Sequence, residues 1–181
     1  MIPFITTNEG KFEEFTTYLE PLGVELEMVS REYPEIQSGS LEEVALHGAS
    51  VLALELERFI IEDSGFFVDA LPGFPGVYSK HVHASIGLEG VLKLVGDDRR
   101  ARFEACILFY DGEPHLFKGE VRGTVSREER GTGGFGYDPI FVPEGHDRTF
   151  AEMTPAEKNE LSHRGRALSS MADFFRSRGR P

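Results

Sequence analysis

The stretch Phe59–Ser79, FIIEDSGFFVDALPGFPGVYS, constrains this chain more than any other. Phe59, Ile60 and Ile61 form a short apolar run, which reads as a buried strand. Glu62 and Asp63 follow at once, which puts two carboxylates at the strand's end. Ser64-Gly65 then breaks the strand, and Phe66-Phe67-Val68 resumes it. Open α/β folds keep their binding crevices at strand ends. Adjacent acids there suit a hard cation such as Mg²⁺, which takes oxygen ligands and keeps several waters. Pro72, Gly73, Pro75 and Gly76 make a stiff, tightly turning loop. An ordinary turn after a core strand is the plain alternative.

With 181 residues the chain is long enough for one domain, 1–181, with a real core, in one or two lobes. No apolar run approaches the roughly 20 residues of a membrane span. The opening MIPFITTNEG has neither a basic start nor a cleavage site, so a cytoplasmic protein with no membrane partner is expected. Cys106 lies in the run ACILFY and reads as a core residue. A net charge of −12 argues against a broad nucleic-acid-binding face. That charge is uneven: from Lys158 to Pro181 six basic residues oppose two acidic ones. Such a basic segment on an acidic body could face a small anion; Arg176, Arg178 and Arg180 read instead as a solvated tail.

Strand Ile2–Thr6, the turn Thr6-Thr7-Asn8-Glu9-Gly10-Lys11 and a helix to about Glu20 have the layout of a phosphate-binding turn. It lacks the GxxxxGK[ST] pattern, and Lys11 on a plain helix surface is the alternative. Val24, Leu26 and Met28 alternate with acids as a half-exposed strand. Ser40 and Glu43 form a capping box for a helix to about Glu57. His81 and His83 precede a short helix, about Leu88–Val95; at i, i+2 on a strand they could meet a metal, but no third ligand is apparent. Asp111-Gly112 marks a hairpin between Arg102–Tyr110 and Glu113–Lys118, with a further strand at Glu120–Val125. Gly131-Thr-Gly-Gly-Phe-Gly-Tyr-Asp-Pro139 offers bare backbone, with Phe135 and Tyr137 as flat faces on which a base could stack. Phe141-Val142 closes the sheet. Thr154-Pro155-Ala156-Glu157 caps a helix carrying Lys158. Ser162-His163-Arg164-Gly165 interrupts it before a last helix buries Leu168, Met171, Phe174 and Phe175. These elements make an α/β protein.

Taken together, TTNEGK at Thr6–Lys11, EDSG at Glu62–Gly65, LPGFPGVYS at Leu71–Ser79, GTGGFGYDPIF at Gly131–Phe141, TFAEM at Thr149–Met153 and EKNELSHRG at Glu157–Gly165 resemble the Ham1-like, or inosine triphosphatase, family. The resemblance spans almost the whole chain, and EYPEIQ at Glu32–Gln37 looks like its archaeal branch. Thr7 stands where many relatives have Gly or Ser, and Glu62 where bacterial relatives often have Asp.

The resemblance implies a pyrophosphatase that converts ITP, dITP and XTP to the monophosphate and pyrophosphate. It implies an elongated two-lobed α/β domain with a long twisted mixed sheet, a cleft between the lobes, and a homodimer. It also implies that Glu35 and Asp63 hold Mg²⁺ (or Mn²⁺), with Asp63 as the base for water and Glu62 as a further ligand. Thr6, Thr7, Asn8, Glu9, Gly10, Lys11 and Ser64 would bind phosphates, and Phe135 would stack on the base beside Gly136, Tyr137 and Asp138. Lys158, His163 and Arg164 would reach the base edge. Cationic donors there match the 6-oxo acceptor of hypoxanthine and xanthine and leave adenine's 6-amino group unpaired. A pyrophosphatase for other aberrant nucleotides, as in the Maf-like fold, and a nucleotide sensor without turnover are the competing readings.

Overall fold

The computed structural model describes residues 1–34 and 36–178. Glu35 and Arg180, both assigned places in the sequence reading, lie outside the described residues.

Strand β3, Phe59–Val68, runs unbroken and pairs antiparallel with β5, Arg100–Tyr110, from Phe59↔Tyr110 to Val68↔Ala101. The expected break at Ser64-Gly65 is therefore absent: Ser64 faces Ala105 and Gly65 faces Glu104 within the ladder. Glu62 and Asp63 sit in mid-strand, not at a strand end. A ladder bonded along its whole length outweighs the turn preference of a Ser-Gly pair, which is a weak local bias. Gly65 answers a different demand. A Cβ there would stand 2.7 Å from the carbonyl oxygen of Gly76, because β4, Pro75–Gly76, crosses close against Phe66 and Phe67.

The sheet is mixed. Its order is β2 (Leu26–Val29), β1 (Ile2–Ile5), β3, β5, β6 (Pro114–Val125), β7 (Phe141–Pro143), with β4 on β3 beside that path. β1 runs parallel to β2 and β3, and the remaining pairs are antiparallel. The Asp111-Gly112 hairpin forms as expected, with Gly112 at φ +104°. The separate strand expected at Glu120–Val125 is instead the far half of β6, which stays paired with β5 to Arg100↔Thr124. On its other edge β3 meets β1 at Phe4↔Ile60 and β4 at Phe66 and Phe67. Between those contacts, residues 61–65 have neither neighbour, so the sheet carries a gap there.

Five helices among the described residues cover the sheet. α1, Glu9–Leu19, and α5, His163–Arg178, pack with Ile60, Phe109 and Phe117 on one face. α2, Leu41–Leu52, packs with Phe59, Ile61 and Phe67 on the other. It ends at Leu52, short of the expected Glu57. α3, Ser79–Leu94, absorbs the expected short helix and bends at Gly87, whose φ is +64°. His81 and His83 thus lie on a helix, where i and i+2 point in different directions and do not converge on one ion. α4, Pro155–Leu161, begins with the expected Thr154–Glu157 capping box.

Strict alternation along β3 sends Phe59, Ile61 and Phe67 toward α2, while Ile60, Phe66 and Val68 face the opposite side. Glu62 and Asp63, being adjacent, therefore leave opposite faces of the sheet.

Helix α5 rides directly on β6. A Cβ at Gly119 would collide with the His163 carbonyl oxygen and stand 2.7 Å from the Ala167 nitrogen. Only hydrogen fits, and the start of α5 is pinned to the sheet. Gly119→Ala should overpack this contact by about 1–3 kcal/mol, seen in calorimetry as a melting point lowered by roughly 2–12 °C. An unchanged melting point would mean that α5 can lift away freely.

Candidate active site

The turn leaving β1 is folded by its own side chains. Thr6 Oγ1 accepts the Asn8 N–H at 3.1 Å, and Asn8 Oδ1 accepts the Lys11 N–H at 3.0 Å, capping α1. Lys11 is thereby aimed over the gap in β3. Its Nζ lies 2.6 Å from Glu62 Oε2 and 3.4 Å from the Glu62 carbonyl oxygen.

Glu62 also accepts from Arg164, whose Nε lies 3.1 Å from Glu62 Oε1. Arg164 donates further to Glu14 Oε2 at 2.5 Å and to Ser64 Oγ at 3.2 Å. Lys158 Nζ divides itself between Glu14 Oε1 at 2.9 Å and Asp138 Oδ2 at 2.7 Å. Three cations and three carboxylates thus form one connected cluster, and Glu62, Asp138, Lys158 and Arg164 are all buried. Buried charge is tolerable only when paired and hydrogen-bonded in this way.

The ionisation of each group follows from its neighbours. Burial pushes the Glu62 carboxyl up, but Arg164 and Lys11 outweigh it and hold the group below its ordinary value. Glu14 is lowered by Arg164 and Lys158 against the same opposition. For Asp138 burial wins over Lys158 and the Phe135 N–H, and the carboxyl is raised. Burial, with Arg164, Lys158 and Lys11 nearby, drives His163 well below the usual imidazole range, so it is neutral at pH 7. Its ring stacks on Phe103 with centroids 4.7 Å apart, and Nδ1 has no hydrogen-bond partner among the described residues.

The glycine-rich loop brings Phe135 to the same place. Asp138 Oδ2 accepts the Phe135 N–H at 2.8 Å, and Gly134 and Gly136 take φ of +67° and +61°. The Phe135 ring is half-buried, with Lys158 Nζ 4.5 Å and Arg164 Cζ 5.5 Å from its centroid. It also lies against Gly10, where a Cβ would approach the ring to 2.9 Å. Tyr137 does not offer a second face. It is buried, stacked on Phe66 at 4.7 Å, and donates its hydroxyl to the Ser79 carbonyl. The reason is hydrophobic: the ring completes the core under β3.

Asp63 stands apart from the cluster, half-buried on the α2 face beside its cross-strand neighbour Cys106. Burial pushes the Cys106 thiol up to about 12, which makes it an inert core residue. No group of three or more His, Cys, Asp or Glu side chains among the described residues is arranged to hold a metal ion.

Residues 2–174 match the model of the Ham1 family. The chain belongs to the Ham1 family. Proteins named dITP/XTP pyrophosphatase are similar to it: that of Thermococcus kodakarensis is 53% identical over 178 residues, covering 97% of each chain. That of Pyrococcus horikoshii is 52% identical over 177 residues, covering 96% and 95%. Among solved structures, a HAM1 protein from Coxiella burnetii superposes with a TM-score of 0.83 at 30% identity, covering 97% of this chain and 98% of that one. The Staphylococcus aureus Ham1 protein gives 0.81 at 31% identity, with 98% of each chain covered.

In this Ham1-family chain the predicted Lys11, Ser64, Phe135, Asp138, Lys158 and Arg164 converge, His163 flanks them, and Asp63 lies across the sheet. Glu14 is the member that sequence reasoning missed. Its signal was slight: on α1 it sits at i+3 from Lys11 and so shares that residue's face. A lone Glu at that spacing looks like any solvated helix acid.

A pH dependence follows. His163 has a folded value below its unfolded one, so its contribution is full above about pH 6.5 and is lost as pH falls through that value toward the folded one. The melting point should fall between pH 7 and pH 5. Replacing His163 by Phe, which keeps the stack on Phe103, should flatten that fall. Calorimetry of both proteins at three pH values checks it; parallel slopes would assign the loss elsewhere.

Proposed function

We propose that this Ham1-family chain hydrolyses ITP, dITP and XTP to the nucleoside monophosphate and pyrophosphate, clearing aberrant purines from the nucleotide pool. One observation carries the reading: a cationic donor pair, Lys158 and Arg164, beside the Phe135 ring, with Arg164 joined to Lys11 through Glu62. Full-length relatives near 50% identity that are named dITP/XTP pyrophosphatase support it.

Arg164 has five N–H groups and spends three on Glu62, Glu14 and Ser64. Lys158 has three and spends two. The remainder are donors only. A 6-oxo purine stacked on Phe135 meets them with an acceptor, while the 6-amino group of adenine meets donor with donor. A mismatch of that kind is costly because buried groups are left unpaired. The Thr6–Lys11 turn holds the phosphates, with Lys11 as a point charge. The substrate would lie along the gap in β3 between β1 and β4, where two lobes would flank the cleft.

In this reading the triphosphate lies along the unpaired edge of β3 at residues 61–65, and Asp63 acts on it from the α2 side. Asp63 takes a proton from water, the water oxygen attacks the α-phosphorus, and the bond to the bridging oxygen breaks as pyrophosphate leaves. Hard divalent ions in phosphoryl transfer use one or two carboxylates plus substrate oxygens and waters. The half-buried Asp63 fits as one such ligand, and Glu35 is proposed as the other. When bound, Mg²⁺ or Mn²⁺ would neutralise charge on the phosphates. A homodimer is proposed as the assembly.

Phosphorus NMR of ITP turnover tests the reaction: pyrophosphate is expected, and orthophosphate with IDP would refute it. Asp63→Asn keeps the size and removes the basicity, and should lower kcat by about 10²–10⁴; more than about a tenth of wild-type kcat remaining would move the base elsewhere. Arg164→Ala should narrow the gap in kcat/KM between ITP and ATP, measured by steady-state kinetics with both nucleotides.

A further inference from the structure

We infer that Glu62 is a positioning residue that couples the phosphate end of the site to the base end, and that it does not ligate the divalent cation. The inference rests on the proposed nucleotide reading of the site.

Three observations carry it. Glu62 leaves β3 on the face opposite Asp63, because the strand is continuous and the residues are adjacent. Its side chain is fully buried, with each oxygen facing a different cation: Lys11 Nζ at 2.6 Å and Arg164 Nε at 3.1 Å. A divalent ion at that carboxylate would sit against both cations. Lys11 belongs to the phosphate turn, whereas Arg164 stands over the Phe135 ring. One buried carboxylate therefore joins the two groups that meet opposite ends of a nucleotide.

The physical consequence is a shared counter-charge. When triphosphate oxygens draw Lys11 toward themselves, Glu62 loses part of its compensation. It cannot turn to water, so it holds Arg164 more firmly. Arg164 then presents its two remaining N–H groups in a fixed orientation to the base edge. Linkage makes the effect mutual: a base that satisfies Arg164 also sets where Lys11 waits for phosphate. A base that does not fit Arg164 disturbs phosphate placement, which appears as slower turnover as well as weaker binding.

A double-mutant cycle tests this. Lys11→Ala, Arg164→Ala and the double variant would be titrated calorimetrically with α,β-methylene-ITP in Mg²⁺ buffer. In the wild-type background the combined loss of affinity should differ from the product of the single losses by at least about fivefold, the usual scale for groups sharing a partner. In a Glu62→Gln background the product should hold within about twofold. Additivity in the wild-type background overturns the inference whatever the Glu62 variants do. Persistent coupling in Glu62→Gln overturns it too. Should Glu62→Gln fail to fold by circular dichroism, Glu62→Asp keeps the charge but is too short to span both cations, and the same loss of coupling is expected.

The Mg²⁺ dependence supplies the second arm. Half-saturation by Mg²⁺ for ITP hydrolysis should stay within about twofold in the Glu62 variant. A rise of tenfold or more, the scale on which metal affinity answers to loss of a group that holds a ligand in place, would tie Glu62 to the cation and sink the proposal. A wild-type protein that neither binds the analogue nor turns over ITP would instead refute the proposed function itself.

Discussion

The unbroken pairing of β3 with β5 is the constraint on which the rest of the molecule depends. Because that ladder runs from Phe59 to Val68, β3 can spare its other edge in the middle. β1 takes one end of that edge and β4 the other, and Glu62 and Asp63 leave the strand in the unpaired stretch between them. A strand stopping at Ser64 would have ended the sheet there and left no rigid floor. The same continuity fixes the alternation that separates Glu62 from Asp63 and divides charge pairing from proposed chemistry between the two faces.

The second constraint is electrostatic. Three cations and three carboxylates are gathered where α1, β3, the glycine-rich loop, α4 and α5 meet. Such a cluster is a poor source of stability, since desolvation roughly offsets attraction, but it is a strong source of position. No member can move without exposing another as an unpaired charge. Gly119 supports the arrangement from outside by letting α5 lie on β6, so that Arg164 enters the cluster from a fixed helix start. Preorganised donors of this kind discriminate well, because they do not relax to accommodate a wrong partner.

Much of this was legible in the chain. The capping residues Asn8, Ser40 and Thr154, the Asp111-Gly112 turn and the glycine-rich loop all act as their local chemistry dictates. Each depends on contacts within a few residues. What failed were inferences in which a local signal competed with a distant partner. Ser64-Gly65 reads as a turn until β5 supplies the ladder, and Tyr137 reads as a stacking face until Phe66 covers it. Glu14 was invisible because its partners, Lys158 and Arg164, lie about 150 residues away.

The sequence by itself determined the α/β character, the order of the capped Thr6–Lys11 turn, acidic strand and basic C-terminal segment, and the charged and aromatic residue types at hand. These are properties of spacing and side-chain chemistry, which travel with the chain in any conformation. Only the tertiary structure decided which charges face one another. Which partners a carboxylate meets depends on what packs beside it. For Glu62 and Asp63, neighbours in sequence, the pleat of one strand sends them to opposite surroundings.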